Sequence, residues 1–424
     1  MSVPAYSEYK DSGVPWLGQV PARWPIVQSR RYFSLRRERA SEGDRQLTAS
    51  QKWGVIYQDD YTRLEGQQVV QVILNAEILK KVEPNDFVIS MRSFQGGIEW
   101  CGLCGSISSA YVMLIPSDDV VPAYFRYLFK SKGYIQALQS TSNLVRDGQA
   151  MRYDNFVQVP LPMPSQEEQK GIAAFLDRET AKIDALVAEQ EQLIALLKEK
   201  RQAVISHAVT KGLDPDAPMK DSGIEWLGEI PATWECLPFK RYIASSNAGE
   251  VIDKSYWGDG QELLYTCAIE PIRSDFSAFP DWKRTADRDL LLTRNGTPYV
   301  HEPEPSSIYS NVVQRVTLED GLYRRYMARA VQSAAFNLKG YGVSIESLNY
   351  EMWRGLVVPV PSPPEQEAIV TFIDQETAKI DDLAVEAQLA RDLLKERRAV
   401  LVFAAVTGKI DVRGLVEQQE MEAA

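Results

Sequence analysis

Residues 10–24 read KDSGVPWLGQVPARW, and the chain repeats them 210 residues later, at residues 220–234, as KDSGIEWLGEIPATW. A second repeat, ETAKID, fills residues 179–184 and returns unchanged, 197 residues later, at residues 376–381. Each ETAKID opens a long stretch rich in Leu, Lys and Glu. A unit this long, present twice, does not fit a solenoid, whose repeats are about 20–50 residues long. The pattern predicts two similar docking elements, each followed by a divergent lobe and a helix.

The composition is that of a folded protein with more than one domain. At about 150 residues per domain, a chain of 424 residues suggests two or three domains. Its hydrophobic fraction of 45% is ordinary for globular chains. The first residues lack the charged-then-apolar layout of a signal peptide, and no run of about 18 apolar residues offers a membrane span. We therefore expect a cytoplasmic protein with no membrane partner.

The negative charge is concentrated in the second half of the chain. The net charge is −11 overall, but it is +2 over residues 1–164, −6 over residues 212–361 and −6 over residues 362–424. Net charge informs solubility and association but does not describe a local patch. The balance argues against a protein that grips DNA alone, and it suits one whose partners supply much of the positive surface.

Two long helices are predicted between clear start and stop signals. Both start with Ser followed three residues later by Glu, the capping-box pattern, and both stop at a glycine: Ser165 and Glu168 with Gly212, and Ser362 and Glu365 with Gly408. Each stretch runs about 45 residues, or about 65–70 Å at 1.5 Å per residue.

Apolar residues recur every seven residues in both helices, and the two heptad patterns share one register. The predicted pairing residues are Leu176, Ile183, Leu186, Leu197 and Val204 in the first helix and Ile373, Ile380, Leu383, Leu394 and Leu401 in the second. Leu193 and Ala390 belong to the same companion position as Leu186 and Leu383. A shared register is what partners in a coiled coil require. The alternative is that each helix packs only on its own lobe.

The two lobes contain analogous strand-then-loop segments. Residues 85–92 and 288–294 each read as an acidic turn, an apolar strand, a hydroxyl and an arginine, and polar glycine-bearing loops follow at residues 93–97 and 295–298. Arg and Gln side chains match guanine and adenine edges. These loops are therefore candidates for reading bases, although a surface hairpin would look the same. The candidate DNA-binding residues of these segments are Arg92, Ser93, Gln95, Arg294, Asn295 and Thr297.

Basic runs in each lobe are candidates for phosphate contact. The densest run contains Arg30, Arg31, Arg36, Arg37 and Arg39. In a helix these residues would scatter around the cylinder and form no stripe, so a solvated surface is the alternative. From the runs we take Arg30 and Arg31 in the first lobe and Arg324 and Arg325 in the second as DNA-binding candidates.

The sequence shows no chemistry of its own. We find no GxxxxGK[ST] loop, no amino-methyltransferase signature and no set of Ser, His and Asp that could be nominated with only two histidines. Cys101 and Cys104 form a lone CxxC without the second pair or the histidines that a zinc site needs. We therefore expect no catalytic residues, no metal and no cofactor in this chain.

The combined motifs resemble those of type I restriction–modification specificity subunits. The WLGxxPxxW elements, the Pro-rich leads into Glu-Gln and the F[LI]DxETAKID helices carry this resemblance, which covers essentially the whole chain apart from the lobe interiors. With it we divide the chain into an N-terminal docking segment (1–24), target-recognition domain 1 (25–159), conserved helix 1 (160–212), a repeated docking segment (213–234), target-recognition domain 2 (235–358), conserved helix 2 (359–410) and an acidic tail (411–424).

The resemblance implies an α+β fold with two pseudo-twofold-related globular target-recognition domains joined by two long antiparallel coiled-coil helices. Each domain would read one half of a bipartite, asymmetric site in double-stranded DNA, and the helices would set the gap between the halves. Two methyltransferase subunits and the restriction (translocase) subunits would be the partners. S-adenosylmethionine, ATP and Mg²⁺ would then belong to those partners and not to this chain.

Two alternatives of other classes stay open from the residues alone. One is a degenerate DNA methyltransferase or nuclease, and the other is a coiled-coil scaffold that does not touch DNA. Neither explains why two lobes diverge while the segments that flank them do not.

Overall fold

The computed structural model describes residues 4–41, 43–66, 78–91, 93–141, 151–336, 338 and 347–413. The chain forms two compact units, one made of Met1–Gln190 with Leu389–Ala424 and the other of Glu191–Gln388. Each unit therefore contains one lobe and a part of both long helices. Among the described residues, no helix is long and apolar enough to cross a membrane.

The first unit is built from short strands and short helices that precede the first long helix. Its strands are β1 (Tyr9–Asp11), β2 (Gln19–Pro21), β3 (Ile26–Val27), β4 (Phe33–Leu35), β5 (Leu47–Ser50), β6 (Gly54–Tyr57), β7 (Lys80–Val82), β8 (Phe87–Ile89), β9 (Glu99–Trp100), β10 (Gly105–Ile107), β11 (Val112–Pro116) and β12 (Leu161–Pro162). Its short helices are α1 (Gln58–Glu65), α2 (Ser93–Gly96), α3 (Pro122–Leu128), α4 (Lys132–Ser140) and α5 (Tyr153–Phe156).

The long helices and the second unit complete the elements. The long helices are α6 (Gln166–Lys211) and α9 (Pro363–Val406). The strands of the second unit are β13 (Met219–Asp221), β14 (Glu229–Pro231), β15 (Glu235–Pro238), β16 (Ile243–Ala248), β17 (Trp257–Tyr265), β18 (Ile272–Ser274), β19 (Asp289–Thr293), β20 (Val300–His301), β21 (Ile308–Tyr309), β22 (Val313–Leu318) and β23 (Val357–Val360), and its short helices are α7 (Arg324–Ala335) and α8 (Tyr350–Gly355).

Both lobes are organised around the same four-stranded antiparallel sheet. The strand order is β4-β11-β8-β9 in the first lobe and β16-β22-β19-β20 in the second. The entry and exit strands of each lobe also pair with each other, β3 with β12 and β15 with β23. Each lobe is therefore a closed module whose two ends meet. The predicted α+β fold with two lobes and two long helices is confirmed.

The central strands β8 and β19 are buried on both faces, which explains their continuous apolar sequences. Because side chains alternate along a strand, Phe87 and Ile89 enter one hydrophobic cluster and Val88 enters another. In the second lobe Leu290 and Leu292 face the main cluster while Leu291 enters a separate one. The loops that follow these strands, which are the candidate base-reading loops, are thus anchored on the most buried strands of their lobes.

The two long helices begin and end at the predicted signals. They span 46 and 44 residues, and Gly212 and Gly408 follow them with φ of +74° and +69°, the left-handed conformation that ends helices. The N–H of Glu168 donates to the Ser165 hydroxyl over 3.3 Å, so this half of the first capping box is present.

Within each unit, α6 and α9 are joined by one matching ion pair. Arg398 donates to Asp184 over 2.8 Å in the first unit, and Arg201 donates to Asp381 over 2.8 Å in the second. Both aspartates are the last residue of an ETAKID motif. In each pair, a residue late in one helix meets a residue early in the other, which makes the pairing antiparallel.

The predicted heptad position is correct in its main stripe and wrong in its companion. Leu176, Ile183, Leu197, Ile373 and Ile380 are buried, and Val204, Leu394 and Leu401 are half-buried. In contrast, Leu186, Leu193 and Leu383 are 44%, 42% and 51% exposed. The buried companion stands four residues after the main position, at Thr180, Ile194 and Thr377. The apolar pattern favoured a companion three residues away, and leucines at those positions instead face outward.

The repeated WLGxxPxxW elements pack against helix ends within their units. Lys409, just after α9, donates to the carbonyls of Leu17 and Gln19 in the first unit, and Lys211, at the end of α6, donates to those of Leu227 and Glu229 in the second. The second tryptophan of each element, Trp24 and Trp234, is buried. Each element is therefore part of the core of its unit and docks on the end of one long helix.

We expect Trp24→Ala to destabilise the first unit strongly, because Trp24 is 0% exposed and its ring lies edge-on to Tyr6 at 5.9 Å. Truncation of a buried tryptophan costs about 3–5 kcal/mol, which urea unfolding followed by fluorescence measures. Trp53→Ala is the matched control, since Trp53 is 39% exposed, and its loss should be a small fraction of this. Equal losses would show that the docking element is not a core element.

Candidate nucleic-acid interface

Each lobe is attached to its long helix by a buried glutamine from the repeated Glu-Gln motif. Gln169 accepts a hydrogen bond from the Val121 N–H over 2.8 Å and donates to the Pro164 carbonyl over 2.9 Å. In the second unit, Gln366 accepts from the Tyr323 N–H over 3.0 Å and donates to Pro361 over 2.9 Å. Val121 and Tyr323 precede the first residues of α3 and α7. The glutamines thus satisfy helix starts that would otherwise leave a buried donor unpaired.

The glutamate of the same motif binds the docking element instead of closing the capping box. Glu168 accepts from the Tyr6 hydroxyl over 2.7 Å and from Arg23 over 2.6 Å. Glu365 accepts from the Trp234 indole N–H over 2.9 Å. Sequence reasoning identified the motif but missed these roles, because the partners lie more than a hundred residues away along the chain.

A second, charged attachment joins lobe helix to long helix in each unit. Arg126 pairs with Asp177 in the first unit, and Arg325 pairs with Asp374 over 2.9 Å in the second. Arg324, beside it, donates to the Pro303 carbonyl over 3.0 Å. Arg324 and Arg325 were predicted to bind DNA, and this stays a prediction. Both residues are half-buried and have partners inside their own unit, where Arg325 helps to attach the lobe to the long helix.

The candidate loop of the first lobe forms the short helix α2. Ser93 is fully buried, and its hydroxyl accepts the Ser90 N–H over 2.8 Å, so the prediction that Ser93 touches a base is wrong. Gln95 is exposed, so it is available for contact with a ligand. Arg92 lies outside the described residues.

The loop of the first lobe stands beside a cleft of about 420 Å³. Ser90 and Met91 line it together with the β5–β6 hairpin, α1 and Tyr111, and Met91 is 48% exposed. Glu65, at the end of α1, accepts hydrogen bonds from two residues of the hairpin turn, Lys52 over 2.8 Å and the Trp53 indole over 2.7 Å. These contacts lower the pKa of Glu65 and hold an aromatic and a cation at the rim. The sequence analysis did not identify this hairpin as a candidate site, because the only feature that marks it in the sequence is the adjacent pair of Lys52 and Trp53.

The candidate loop of the second lobe is closed by its own backbone contacts. The Thr293 hydroxyl donates to the Thr297 carbonyl over 3.1 Å, and Gly296 takes a φ of +73°, which favours glycine. Thr297 is exposed, while Arg294 is half-buried and donates to the Asn311 carbonyl over 3.3 Å. Asn295 forms a bridge with Ser347. The loop presents a fixed polar surface in which Thr297 is the most accessible of the three predicted residues.

Arg30 and Arg31 lie on a short 3-10 turn, Ser29–Arg31, that leads into β4. Both side chains are exposed, and the Arg31 guanidinium lies 5.8 Å from the ring centre of Tyr32. The segment is therefore not a helix, and the two arginines remain candidates for contact with an anionic surface.

The CxxC motif contains two free thiols of unequal exposure. Cys101 is buried and Cys104 is exposed, and burial raises the pKa of the Cys101 thiol to about 11. Over the part of the chain that the structure describes, no group of three or more His, Cys, Asp or Glu residues could hold a metal ion.

Exposed leucines and valines lie on the long helices in both units. In the first unit they are Leu186, Leu389, Leu393 and Val400, and in the second unit Leu193, Leu196, Leu383 and Val385. Their exposed fractions run from 42% to 63%. Where such side chains form a contiguous patch, exposed apolar surface is typical of sites of protein–protein contact.

Two unlike lobes are attached to paired helices by the same repeated contacts. This arrangement is typical of an adaptor that presents two different surfaces. No family model matches the chain. The chain is 23% identical to the type I restriction enzyme EcoBI specificity subunit of Escherichia coli, over 80% of this chain and 77% of that one. It is 27% identical to the type I restriction enzyme MjaVIII specificity subunit of Methanocaldococcus jannaschii, over 81% and 83%.

A solved structure shares the fold. The chain matches one described as "Structural basis underlying complex assembly and conformational transition of the type I R-M system", with a TM-score of 0.68 and 12% identity over 91% of this chain and 98% of the other. The resemblance to type I restriction–modification specificity subunits that the repeated motifs carry is thereby confirmed.

We expect Gln366→Leu to loosen the second lobe from its helix, because it leaves the Tyr323 N–H and the Pro361 carbonyl buried without partners. Each unpaired group costs about 1–3 kcal/mol, which should appear as a lower free energy of unfolding. Gln375→Leu is the control, since Gln375 is an exposed residue of the same helix. If both variants unfold alike, the glutamine is not the attachment.

We also expect the second lobe to lose stability in mild acid. Burial lowers the pKa of His301 from 6.5 to about 4, and its ring lies edge-on to Tyr299 at 4.8 Å. The unfolded chain binds a proton near pH 6.5 whereas the folded chain does so only near pH 4, so stability is full above this window and falls as the pH drops through it. The loss approaches about 3 kcal/mol at 1.4 kcal/mol per pKa unit.

The pH effect is measured by urea unfolding at about pH 4.5 and about pH 7.5. His301→Gln should remove this part of the pH dependence. His207→Gln alters the other histidine, which is exposed, and should leave the pH dependence unchanged. A wild-type slope that survives in His301→Gln would assign the effect to other groups.

Proposed function

We propose that this chain is the DNA sequence-specificity subunit of a type I restriction–modification complex. In this role it reads a bipartite, asymmetric site and positions the methyltransferase and restriction subunits on it. The chain itself performs no catalysis, and we expect it to work in the cytoplasm, where the DNA is. Neither the enzyme alternative nor the pure scaffold alternative is favoured by the named relatives.

The observation that carries this proposal is that each lobe is a closed module on a repeated mount. The entry and exit strands of each lobe are hydrogen-bonded to each other, and Gln169 and Gln366 hold the two lobes by the same pair of backbone contacts. Apart from a glycine in each, the polar loops at the ends of the equivalent strands β8 and β19 have different sequences, SFQGG at residues 93–97 and NGTP at residues 295–298. A constant mount with two variable reading surfaces is what recognition of two different half-sites requires.

Contact with bases is assigned to the exposed part of these loops. Gln95 in the first lobe and Thr297 in the second are exposed, and Arg294 and Asn295 lie in the same loop as Thr297. We keep Arg92 with them as a proposal from the sequence. A good bidentate contact discriminates against the wrong base by about 1–3 kcal/mol.

The long helices supply the gap between half-sites and the surface for partners. Their pairing in each unit combines a shared apolar core with an arginine–aspartate contact, which supports a stiff spacer. Two methyltransferase subunits would cover the exposed leucines and valines of the helices, one in each unit. S-adenosylmethionine would be bound by these partners, and ATP and Mg²⁺ by the restriction subunits.

The proposal is tested by exchanging residues 25–159 for the equivalent block of a related subunit. We expect one half of the methylated sequence to change and the other half, with the gap, to stay the same, because the block holds the first lobe from β3 to the residues just before β12, the strand that pairs with β3. Sequencing of methylated sites in cells that carry the complete system measures this. The reciprocal exchange of residues 235–358 is the matched control and should change only the other half. A change of both halves by either exchange would contradict the proposal.

A further inference from the structure

The first lobe carries a cleft whose charged lining is basic throughout the described residues. It has a volume of about 300 Å³ and lies at the β4 and β11 edge of the sheet. Its lining consists of Arg36, Arg37, Arg39 and Lys80 with Leu35, Val112, Met113 and Tyr153. No acidic residue lines the cleft in the part of the chain that the structure describes.

Three of the four cations in this cleft keep their charge available. Arg36 is neutralised by Asp86, to which it donates twice, over 2.6 and 2.9 Å. Arg39 and Lys80 donate to the neutral carbonyls of Ile78 and Tyr111, over 2.8 and 2.6 Å. Arg37 is exposed, and no described residue forms an ion pair with it.

Two of the cations, Arg39 and Lys80, repel each other. Burial and the nearby Arg39 guanidinium lower the pKa of Lys80. By contrast, the larger cleft of about 1040 Å³ in the same unit contains ion pairs of its own, Arg126 with Asp177 and Lys130 with Glu99. An added negative charge in the small cleft would relieve the repulsion between Arg39 and Lys80.

The cleft adjoins the surface that carries the candidate base-reading loop. Tyr111, whose carbonyl binds Lys80, also lines the cleft beside Ser90 and Met91. In protein–DNA interfaces, phosphate contacts set the position of the protein while base contacts supply specificity. A phosphate held at Lys80 would thus lie next to the bases read by the loop.

The corresponding place in the second lobe is neutralised. Lys283 stands six residues before Asp289 as Lys80 stands six before Asp86, and both aspartates accept a backbone N–H of the same turn, from Ala286 over 2.8 Å and from Glu83 over 2.9 Å. Lys283, however, forms an ion pair with Glu250 at 2.5 Å.

We propose that Arg37, Arg39 and Lys80 form a binding site for a backbone phosphate of double-stranded DNA. The second lobe lacks this site because the carboxylate of Glu250 already pairs with Lys283. This inference rests on the proposed function. It makes the grip on DNA unequal: the first lobe supplies most of the salt-dependent, sequence-independent affinity, and the second lobe contributes mainly through its fit to its own half-site.

The test measures binding of the full-length chain to a mixed-sequence DNA duplex by fluorescence anisotropy over a range of salt concentrations. We expect Arg37→Gln with Arg39→Gln to lower the slope of log affinity against log salt by about one and to weaken binding roughly tenfold near 0.1 M salt, as for the loss of one phosphate contact. Lys80 is left unchanged because it also holds Tyr111. Arg273→Gln with Arg288→Gln, which removes two exposed arginines of the second lobe, is the matched control and should leave the slope unchanged.

A second variant tests the same inference in the opposite direction. Glu250→Gln releases Lys283, so binding should tighten and the slope should steepen by up to one. An unchanged slope in the Arg37 and Arg39 variant, or equal changes in that variant and its control, would overturn the phosphate site. A changed methylated sequence in cells carrying that variant would also overturn it, since it would make the arginines base readers. None of these results decides the proposed function, which the half-site exchange tests separately.

Discussion

The two long helices share a hydrophobic core in each unit, and the attachment of the lobes and docking elements depends on that pairing. The first unit joins the early part of α6, with Leu176, to the late part of α9, with Val402 and Val406, in one core. The second unit joins the late part of α6, with Val209, to the early part of α9, with Ile373. Lobes and docking elements are attached to these helix ends, so their positions depend on the pairing of α6 with α9.

The contacts that attach the lobes and docking elements to the long helices use mainly backbone groups, whereas the candidate reading surface uses side chains. The glutamines and the helix-end lysines bind backbone N–H and C=O groups of the lobes and docking elements. Every residue except proline offers both of these groups, so such contacts do not depend on lobe side chains. Apart from Arg126 and Arg325, whose side chains pair with the long helices, the lobes can therefore change most exposed residues while the attachment stays the same. This agrees with strong similarity at the mounts and little in the lobes.

Local signals in the sequence predicted what is local in the structure. The helix bounds, the terminal glycines Gly212 and Gly408 and the buried strands β8 and β19 all follow from patterns within a few residues. The heptad companion was wrong because an apolar residue three places away, such as Leu186, looks the same as one in the seam. The burial of Ser93 and the ion pair of Arg325 were missed for a different reason: both depend on segments that only folding brings together. Lys80 was missed because its surroundings come from strands β4 and β11, and no local pattern marks it.

The first unit is completed by residues that lie on both sides of the second unit in the chain, while the second unit is one continuous stretch, Glu191–Gln388. During synthesis the second unit can therefore acquire its whole core while Leu389 and the residues after it have not yet been made. The first lobe must wait for them, because Tyr124 donates to the carbonyl of Val406 over 2.7 Å and Trp24 shares a core with Val402. Since domains generally fold as units as the chain emerges, the lobe that is made first is the one that matures last, and it is the lobe more exposed to chaperones and proteases in the interval.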